Sequence, residues 1–131
     1  MKERIALLLV IPVVLSFSSF QSDSLPESVK RGKLVYEGNC ISCHMENGEG
    51  LEGAFPPLAK TGRLTDKKRL VRIIYNGLEG PITVNGKEYN NQMNPLALSE
   101  QEVTDVLNYI RNSWGNKHQL MKVSEIKELA K

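Results

Sequence analysis

The clearest chemistry in this chain lies in five consecutive residues, Cys40-Ile41-Ser42-Cys43-His44. Their spacing matches the C-x-x-C-H signature of covalent c-type haem attachment. On one helical turn the two thiols point to the same side, where each can bond a haem vinyl group as a thioether. His44 follows directly and is the expected proximal iron ligand. The motif therefore predicts one covalently bound haem c, with iron, and single-electron chemistry.

The same two thiols admit another interpretation, a thioredoxin-like dithiol site. Such a site is expected near a βαβ pattern, and no such pattern surrounds Cys40 and Cys43. A dithiol oxidoreductase would also leave His44 without a role. The chain has only these two cysteines, so no separate disulfide framework has to be explained.

Length and charge restrict the class of protein. The chain has 131 residues, enough for one domain, and its formal net charge of +2 gives no case for nucleic-acid binding. Lys2 and Arg4 precede an apolar run, and Ser16-Phe17-Ser18 offers a small-x-small cleavage pattern. We expect a signal peptide at 1–18 and a periplasmic protein. An uncleaved N-terminal anchor is the alternative, and only then would the protein contact the membrane.

Capping residues and apolar periodicity predict three main helices. Their expected bounds are 26 to about 37, about 66–76 and 99 to about 112, with Ser24, Thr65 and Ser99 as the N-cap residues. Gly77 is the expected terminator of the second helix. The first of these helices would precede the haem motif at Cys40, and the other two would follow it.

A hairpin and a tail complete the predicted elements. Asn85-Gly86 lies between two short alternating runs and predicts a β-hairpin over 82–89 with a type I′ turn. This hairpin could serve as a lid over one haem edge or as a partner contact, and the sequence leaves both open. Residues 117–131 are predicted to be a C-terminal tail with a short amphipathic helix over 124–130, whose packing partner the sequence does not identify.

The order of several segments resembles class I, monohaem cytochromes c of the small bacterial periplasmic type. The matching segments are 32–36 before the haem motif, 47–50 after it, 55–58, 80–86, Met93 and 98–116. The resemblance implies an all-α, cytochrome c-like fold of three main helices around one haem, with a short β-hairpin insertion, in a domain over 19–116. It also implies that Gly32 and Tyr109 lie where the first and last helices cross.

The resemblance also assigns residues to the cofactor. The family pattern P-x-L falls on Pro56 and Leu58. In that pattern the proline carbonyl accepts the His44 Nδ1 proton, and the leucine packs on the haem face. The distal iron ligand falls on Met93, although here Asn94 separates it from the proline that usually follows directly.

The residues themselves leave other distal arrangements open. Met93 lies in a loop far enough along the chain to cross the haem, whereas Met45 adjoins His44 and cannot reach the opposite face. Methionine sulfur at this position would raise the reduction potential. The alternatives are that Met93 fills the core, that His118 binds iron, or that the site is open or water-bound. We expect His118 to be a surface residue of the tail.

Two further features have both a functional and a structural interpretation. Trp114 either donates a hydrogen bond from its ring N–H to a haem propionate or closes the core as an aromatic at a helix end. A basic stretch is either a docking patch for an acidic partner or a solvated helix face, which we favour. Its members are Lys60, Arg63, Lys67, Lys68, Arg69 and Arg72.

Together these residues predict a monomeric electron-transfer haem protein. It would shuttle single electrons between exported or membrane-bound redox partners, such as a dehydrogenase, a reductase or a terminal oxidase. The sequence shows no acid, base or nucleophile constellation, so we expect a carrier rather than an enzyme. The alternative is a haem sensor or peroxidase-like protein with an open distal iron site.

Overall fold

The computed structural model describes residues 24–131. The elements over this range are α1 (Leu25–Asn39), α2 (Ile41–His44), a 3₁₀ turn (Gly62–Leu64), α3 (Lys67–Asn76), β1 (Ile82–Val84), β2 (Lys87–Tyr89), α4 (Glu100–Arg111) and α5 (Val123–Leu129). This mostly helical structure with one small hairpin confirms the predicted fold class. Within 24–131 no helix is long and apolar enough to cross a membrane. The predicted signal segment, 1–18, lies outside the described residues.

Helices α1 and α4 cross at Gly32. A Cβ atom built at Gly32 would lie 1.9 Å from the Asp105 carbonyl oxygen and 2.8 Å from Tyr109 Cβ. Only glycine therefore lets the two backbones approach this closely. Ser28 Oγ and Arg31 Nε donate hydrogen bonds to the buried Asp105 carboxylate at 2.6 and 2.7 Å. The predicted meeting of Gly32 and Tyr109 is confirmed.

The end of α1 differs from the sequence prediction. The helix continues through Gly38 to Asn39 rather than ending near Glu37. It does so because the Cys40 N–H still reaches the Tyr36 carbonyl at 2.8 Å, which keeps the last turn closed. The haem motif therefore begins directly at the end of α1, without an intervening loop.

The start of α3 also differs from the prediction. Its N-cap is Asp66 rather than Thr65, and its first helical residue is Lys67. The Asp66 carboxylate accepts a hydrogen bond from the Arg69 N–H at 3.0 Å, which satisfies one of the free donors of the first turn. Gly77 ends the helix as predicted.

The hairpin forms at its predicted place. Its strands pair antiparallel, and Asn85 and Gly86 have φ angles of 51° and 78°. A type I′ turn requires these positive values. The Arg63 guanidinium donates a hydrogen bond to the Thr83 carbonyl at 2.9 Å, so the hairpin is tied to the 3₁₀ turn that precedes α3.

The C-terminal segment packs on the domain. Met121 and Ile126 are fully buried, and α5 contacts both α3 and α4. The Asn108 side chain accepts a hydrogen bond from the Met121 N–H at 2.8 Å and donates one to its carbonyl at 3.0 Å. The predicted tail helix is thus present, beginning at Val123 rather than Ser124, and its packing partners are α3 and α4.

Candidate haem site

One turn of helix presents the three residues of the haem motif. The short helix α2 follows directly from α1, and the His44 N–H donates to the Cys40 carbonyl at 2.9 Å. The Tyr36 hydroxyl donates to the Met45 carbonyl at 2.7 Å, which fastens the end of this turn to α1. Cys40, Cys43 and His44 are all half-buried. Both sulfurs are free thiols, the state that thioether formation requires.

The His44 ring is held by a backbone carbonyl. Its Nδ1 lies 2.9 Å from the Pro56 carbonyl oxygen, so the hydrogen bond predicted between these residues is present. Because a carbonyl can only accept, Nδ1 carries the proton and Nε2 keeps a lone pair for a metal. The loop that delivers Pro56 is folded back onto the motif, since the Leu58 N–H donates to the Gly48 carbonyl at 2.7 Å.

Burial shifts the pKa values of two motif residues. Burial lowers the pKa of His44, and the hydrogen bond to Pro56 opposes this only in part. The imidazole is therefore kept neutral, which is the form that binds iron. Burial, with a smaller contribution from Cys43, raises the pKa of the Cys40 thiol to about 11. Cys40 is consequently a protonated thiol at neutral pH before attachment.

Met93 reaches the same site from a distant part of the chain. It lies between the hairpin and α4, and its backbone pairs with Leu78 through two N–H···O bonds of 2.9 Å each. Both His44 and Met93 line two adjoining pockets of about 820 and 910 Å³, part of that space being open to solvent. The structure therefore brings together the two residues that the sequence proposed as iron ligands.

The lining of these pockets fits a porphyrin. The walls of the first pocket come from the loop after the motif, from α3 and from α4, and they are almost entirely apolar. Its aliphatic residues include Leu58, Leu70, Ile73, Ile74, Val106, Leu107 and Ile110. Cys40 contributes to both pockets and Cys43 to the second. An imidazole nitrogen and a thioether sulfur, facing an apolar space beside two thiols, are donors suited to a covalently held haem iron.

Two arginines complete the wall and were not singled out as site residues by the sequence. Arg63 and Arg69 line the first pocket, although their sequence pattern suggested a solvated helix face. Burial, and then the neighbouring Arg63, lower the pKa of Arg69. Guanidinium groups in this position suit carboxylates such as the haem propionates. Ile82 and Val84 of the hairpin also line the pocket, and their alternation with the exposed Thr83 is a sequence signal that could have placed the hairpin beside the site.

Trp114 lies elsewhere. Its ring packs against Tyr36 and Tyr109, with centroids 5.1 and 5.2 Å apart, and its edge occupies the space above Gly48. Trp114 does not line either of the two pockets that the described residues form. This placement supports the structural interpretation, an aromatic that closes the core. The predicted bond to a propionate stays a prediction.

His118 is also placed away from the pockets. It is half-buried rather than exposed, and its backbone N–H donates to the Asn112 side chain at 3.0 Å. Burial and the nearby Arg111 lower the pKa of its ring. Its neighbours are therefore residues of α4 and of the C-terminal segment, not the haem motif.

Comparison with known proteins identifies the family to which the chain belongs. A sequence model of the family described as Cytochrome c matches residues 29–114. Cytochrome c-552 of Thermus thermophilus is 38% identical over 93 residues, which cover 65% of this chain and 69% of that protein. The cytochrome c subunit of an alcohol dehydrogenase (quinone) from Gluconobacter oxydans is 34% identical over 93 residues, 65% of this chain and 18% of that subunit.

A third relative is a subunit of an oxidase. Subunit CcoP of a cbb3-type cytochrome c oxidase from Azospirillum brasilense is 30% identical over 115 residues, 82% of this chain and 35% of that subunit. The chain thus spans about a third of this relative and less than a fifth of the dehydrogenase subunit. The family match covers well over half of the chain and contains Cys40, Cys43, His44 and Met93. The chain therefore belongs to the cytochrome c family, whose members transfer electrons through a covalently attached haem c that contains iron.

Proposed function

We propose that this protein is an exported electron carrier that passes single electrons between redox partner proteins and performs no catalysis of its own. The observation that carries the proposal is that His44 and Met93 line the same two adjoining pockets, with Cys40 lining both and Cys43 the second. When bound there, haem supplies a one-electron Fe(II)/Fe(III) couple. The surrounding residues must attach the haem, bind its iron and exclude water from it.

Each residue of the site has a distinct task in this proposal. Cys40 and Cys43 form the thioether bonds that keep the cofactor from dissociating. His44 binds iron through Nε2, and Pro56 fixes its ring and its tautomer. Met93 binds iron through sulfur, which favours the ferrous state. Leu58 and the other aliphatic walls exclude water, and so they limit reorganisation between the two oxidation states.

The described lining offers little for acid–base or nucleophilic catalysis. Among residues 24–131 no carboxylate or lysine lines the two pockets, and the histidine there is the proposed iron ligand. Within the same range no group of three or more His, Cys, Asp or Glu residues could hold a further metal.

The partners and the location are part of the same proposal. Relatives include the cytochrome c subunit of an alcohol dehydrogenase (quinone) and a subunit of a cbb3-type oxidase. We propose partners of these kinds, a dehydrogenase as donor and an oxidase or reductase as acceptor. Covalent haem attachment and the apolar segment at 1–18 support export to the periplasm, with a monomeric protein there.

The test is the optical spectrum and the reduction potential of the haem-loaded protein and of Met93→Ala. We expect sharp c-type bands on reduction and a weak far-red sulfur-to-iron band on oxidation. Met93→Ala should lose the far-red band, keep its haem and show a potential lower by on the order of 0.1 V or more, since axial ligands span about 0.8 V. It should also bind carbon monoxide faster.

The opposite outcome would favour the other candidate. If the unmodified protein binds carbon monoxide or cyanide readily and lacks the sulfur band, the distal site is open. A sensor or a peroxidase-like protein would then be the better interpretation. Leu34→Ala is a suitable control, because this side chain on α1 is 68% exposed and should leave spectrum and potential unchanged.

A further inference from the structure

The glycine that ends α3 lies against the backbone of Met93. Gly77 has a φ angle of 76°, and its N–H donates to the Ile73 carbonyl at 2.8 Å. A Cβ atom built at Gly77 would lie 2.4 Å from the Met93 carbonyl oxygen and 3.0 Å from Pro95 Cδ. Real Cβ atoms do not approach backbone oxygen so closely, so a side chain at position 77 would displace the Met93 segment.

Hydrogen bonds on either side of this contact hold the segment to α3. The Leu78 N–H donates to the Met93 carbonyl and the Met93 N–H to the Leu78 carbonyl, both at 2.9 Å. Three residues further on, the Leu96 N–H donates to the Ile74 carbonyl at 2.8 Å. Two bonds therefore join the Met93 backbone to Leu78, just after the end of α3, and a third joins Leu96 to Ile74 within α3.

The segment that contains the hairpin begins and ends at this same Leu78–Met93 pair. Residues 79–92 form an excursion whose two ends are closed by the Leu78–Met93 pair. This pair therefore separates the hairpin from the segment that carries Met93. The position of the methionine follows from the end of α3, whose residues Ile73 and Ile74 also line the pocket.

We propose that Gly77 is a positioning residue for the distal iron ligand. By having no side chain, it lets the Met93 backbone lie against the end of α3, and so it holds the thioether sulfur at the haem. This inference rests on the proposed role of Met93 as iron ligand. It adds a residue, outside the haem motif and not in contact with iron, that determines whether that ligation forms.

The experiment compares Gly77→Ala with Gly53→Ala in the haem-loaded protein. Gly53 is the matched control, because its φ angle is 77° but, among residues 24–131 other than its two chain neighbours, no heavy atom lies within 4 Å of a Cβ built there. Both substitutions place a side chain at a φ angle near 77°, and only one produces the contact with Met93. We expect Gly77→Ala to lose most of the far-red sulfur band, to lower the reduction potential and to bind carbon monoxide faster. Gly53→Ala should retain all three properties of the unmodified protein.

Several outcomes would overturn the inference. A Gly77→Ala protein that keeps its sulfur band and potential would do so, as would equal losses in both glycine variants. Met93→Ala separates this failure from failure of the proposed function. If Met93→Ala changes neither the band nor the potential, the ligand assignment itself is wrong, and the inference fails with it.

A measurement on the unmodified protein decides the matter if Gly77→Ala does not fold. The amide hydrogens of Leu78 and Met93 should exchange much more slowly than those of Asn85 and Gly86 at the hairpin tip. The reason is that the Leu78 N–H is bonded to the Met93 carbonyl and the Met93 N–H to the Leu78 carbonyl. Exchange at Leu78 and Met93 as fast as at the tip, with the sulfur band intact, would show that this pairing does not hold the methionine.

Discussion

At the scale of single residues, backbone contacts hold both of the proposed iron ligands, His44 and Met93. Pro56 accepts the His44 Nδ1 proton at 2.9 Å, and Leu78 pairs with Met93 on the other side of the cavity. Burial keeps His44 neutral and Cys40 protonated. The proposed iron ligands are thus oriented by neighbouring carbonyls and amides rather than by other side chains.

Cys43→Ser should separate covalent attachment from haem binding. Because one thioether would be missing, we expect the yield of covalently attached haem to fall several-fold, while the apolar pocket remains. Haem staining of the denatured protein on a gel measures the attachment directly. Ser42→Ala is the control, since this residue is exposed and its hydroxyl donates a long bond of 3.9 Å to the Cys43 sulfur. Undiminished attachment in Cys43→Ser would contradict the motif assignment.

The residues of the site differ in how far sequence alone predicts them. Cys40, Cys43 and His44 are predictable because their chemistry depends on spacing within one helical turn. Met93 needed the family resemblance, since nothing local distinguishes a ligand from a methionine of the core. Gly77 was predicted only as a helix terminator, because its contact with Met93 depends on how a segment 16 positions later returns to α3.

At the scale of elements, the crossing of α1 and α4 combines close backbone contact with a buried charge. The Asp105 carboxylate accepts hydrogen bonds from Ser28 at 2.6 Å, Arg31 at 2.7 Å and Gln101 at 3.0 Å. Burial alone would raise the pKa of Asp105, but the bonds from Arg31, Ser28 and Gln101 together hold it below its ordinary value. The carboxylate is therefore ionised and paired in the folded protein at neutral pH.

Asp105→Asn should destabilise the protein in a pH-dependent way. The depressed pKa means that ionised Asp105 stabilises the fold above about pH 4, its unfolded pKa, and that this contribution is lost as the pH falls through the folded pKa. At pH 7 we expect a loss of about 2 kcal/mol in the free energy of unfolding, typical of hydrogen bonds to a charged group. Urea unfolding between pH 3 and 7 measures the difference, which should shrink toward acid.

A control variant tests whether the effect belongs to the buried carboxylate. Glu27→Gln removes an exposed carboxylate from the first turn of α1 and should change stability by only a few tenths of a kcal/mol. A difference between Asp105→Asn and the unmodified protein that does not change with pH would contradict the argument. It would then reflect packing or the remaining hydrogen bonds, not the charge.

The boundaries of the elements show where local sequence signals compete. The capping box at Ser99 is present as predicted, with Ser99 and Glu102 bonded reciprocally. At α3, however, both Thr65 and Asp66 are good N-cap residues, and Thr65 is already the C-cap of the 3₁₀ turn over Gly62–Leu64. That turn is fixed by tertiary contacts, including the bond from Arg111 to the Leu64 carbonyl at 3.1 Å. No local pattern could have decided between the two caps.

At the scale of the whole molecule, residues 117–131 connect the haem-lining helices from outside. Ile126 of α5 is fully buried, and Lys67 of α3 pairs with Glu125 at 2.7 Å. Arg111 of α4 donates to the Gln119 carbonyl at 3.1 Å. The sequence predicted α5 but not how the C-terminal segment packs, because the residues of α4 that bind this segment, Asn108 and Arg111, are polar. These two side chains can be buried because backbone atoms of Met121 and Gln119 form hydrogen bonds with them.

Removing residues 117–131 should therefore lower stability much more than it changes the haem site. Met121 and Ile126 would lose their burial, worth about 1.5–3 kcal/mol for each such side chain, and the buried Asn108 would lose the backbone bonds made to Met121. At the lower bound of about 3 kcal/mol for the two side chains, and at about 4–8 °C per kcal/mol, we expect the melting temperature to fall by roughly 12–24 °C. The far-red sulfur band should persist at 25 °C, because the bonds from Met93 to Leu78 and from Leu96 to Ile74 of α3 are not removed. Met121→Ala should show a smaller loss of the same sign, and Glu128→Ala, which is exposed, almost none.

A truncated protein that melts like the full chain would mean that the segment covers the domain without stabilising it. Loss of the sulfur band at 25 °C, with the fold intact, would mean instead that α5 helps to hold α3 against the methionine.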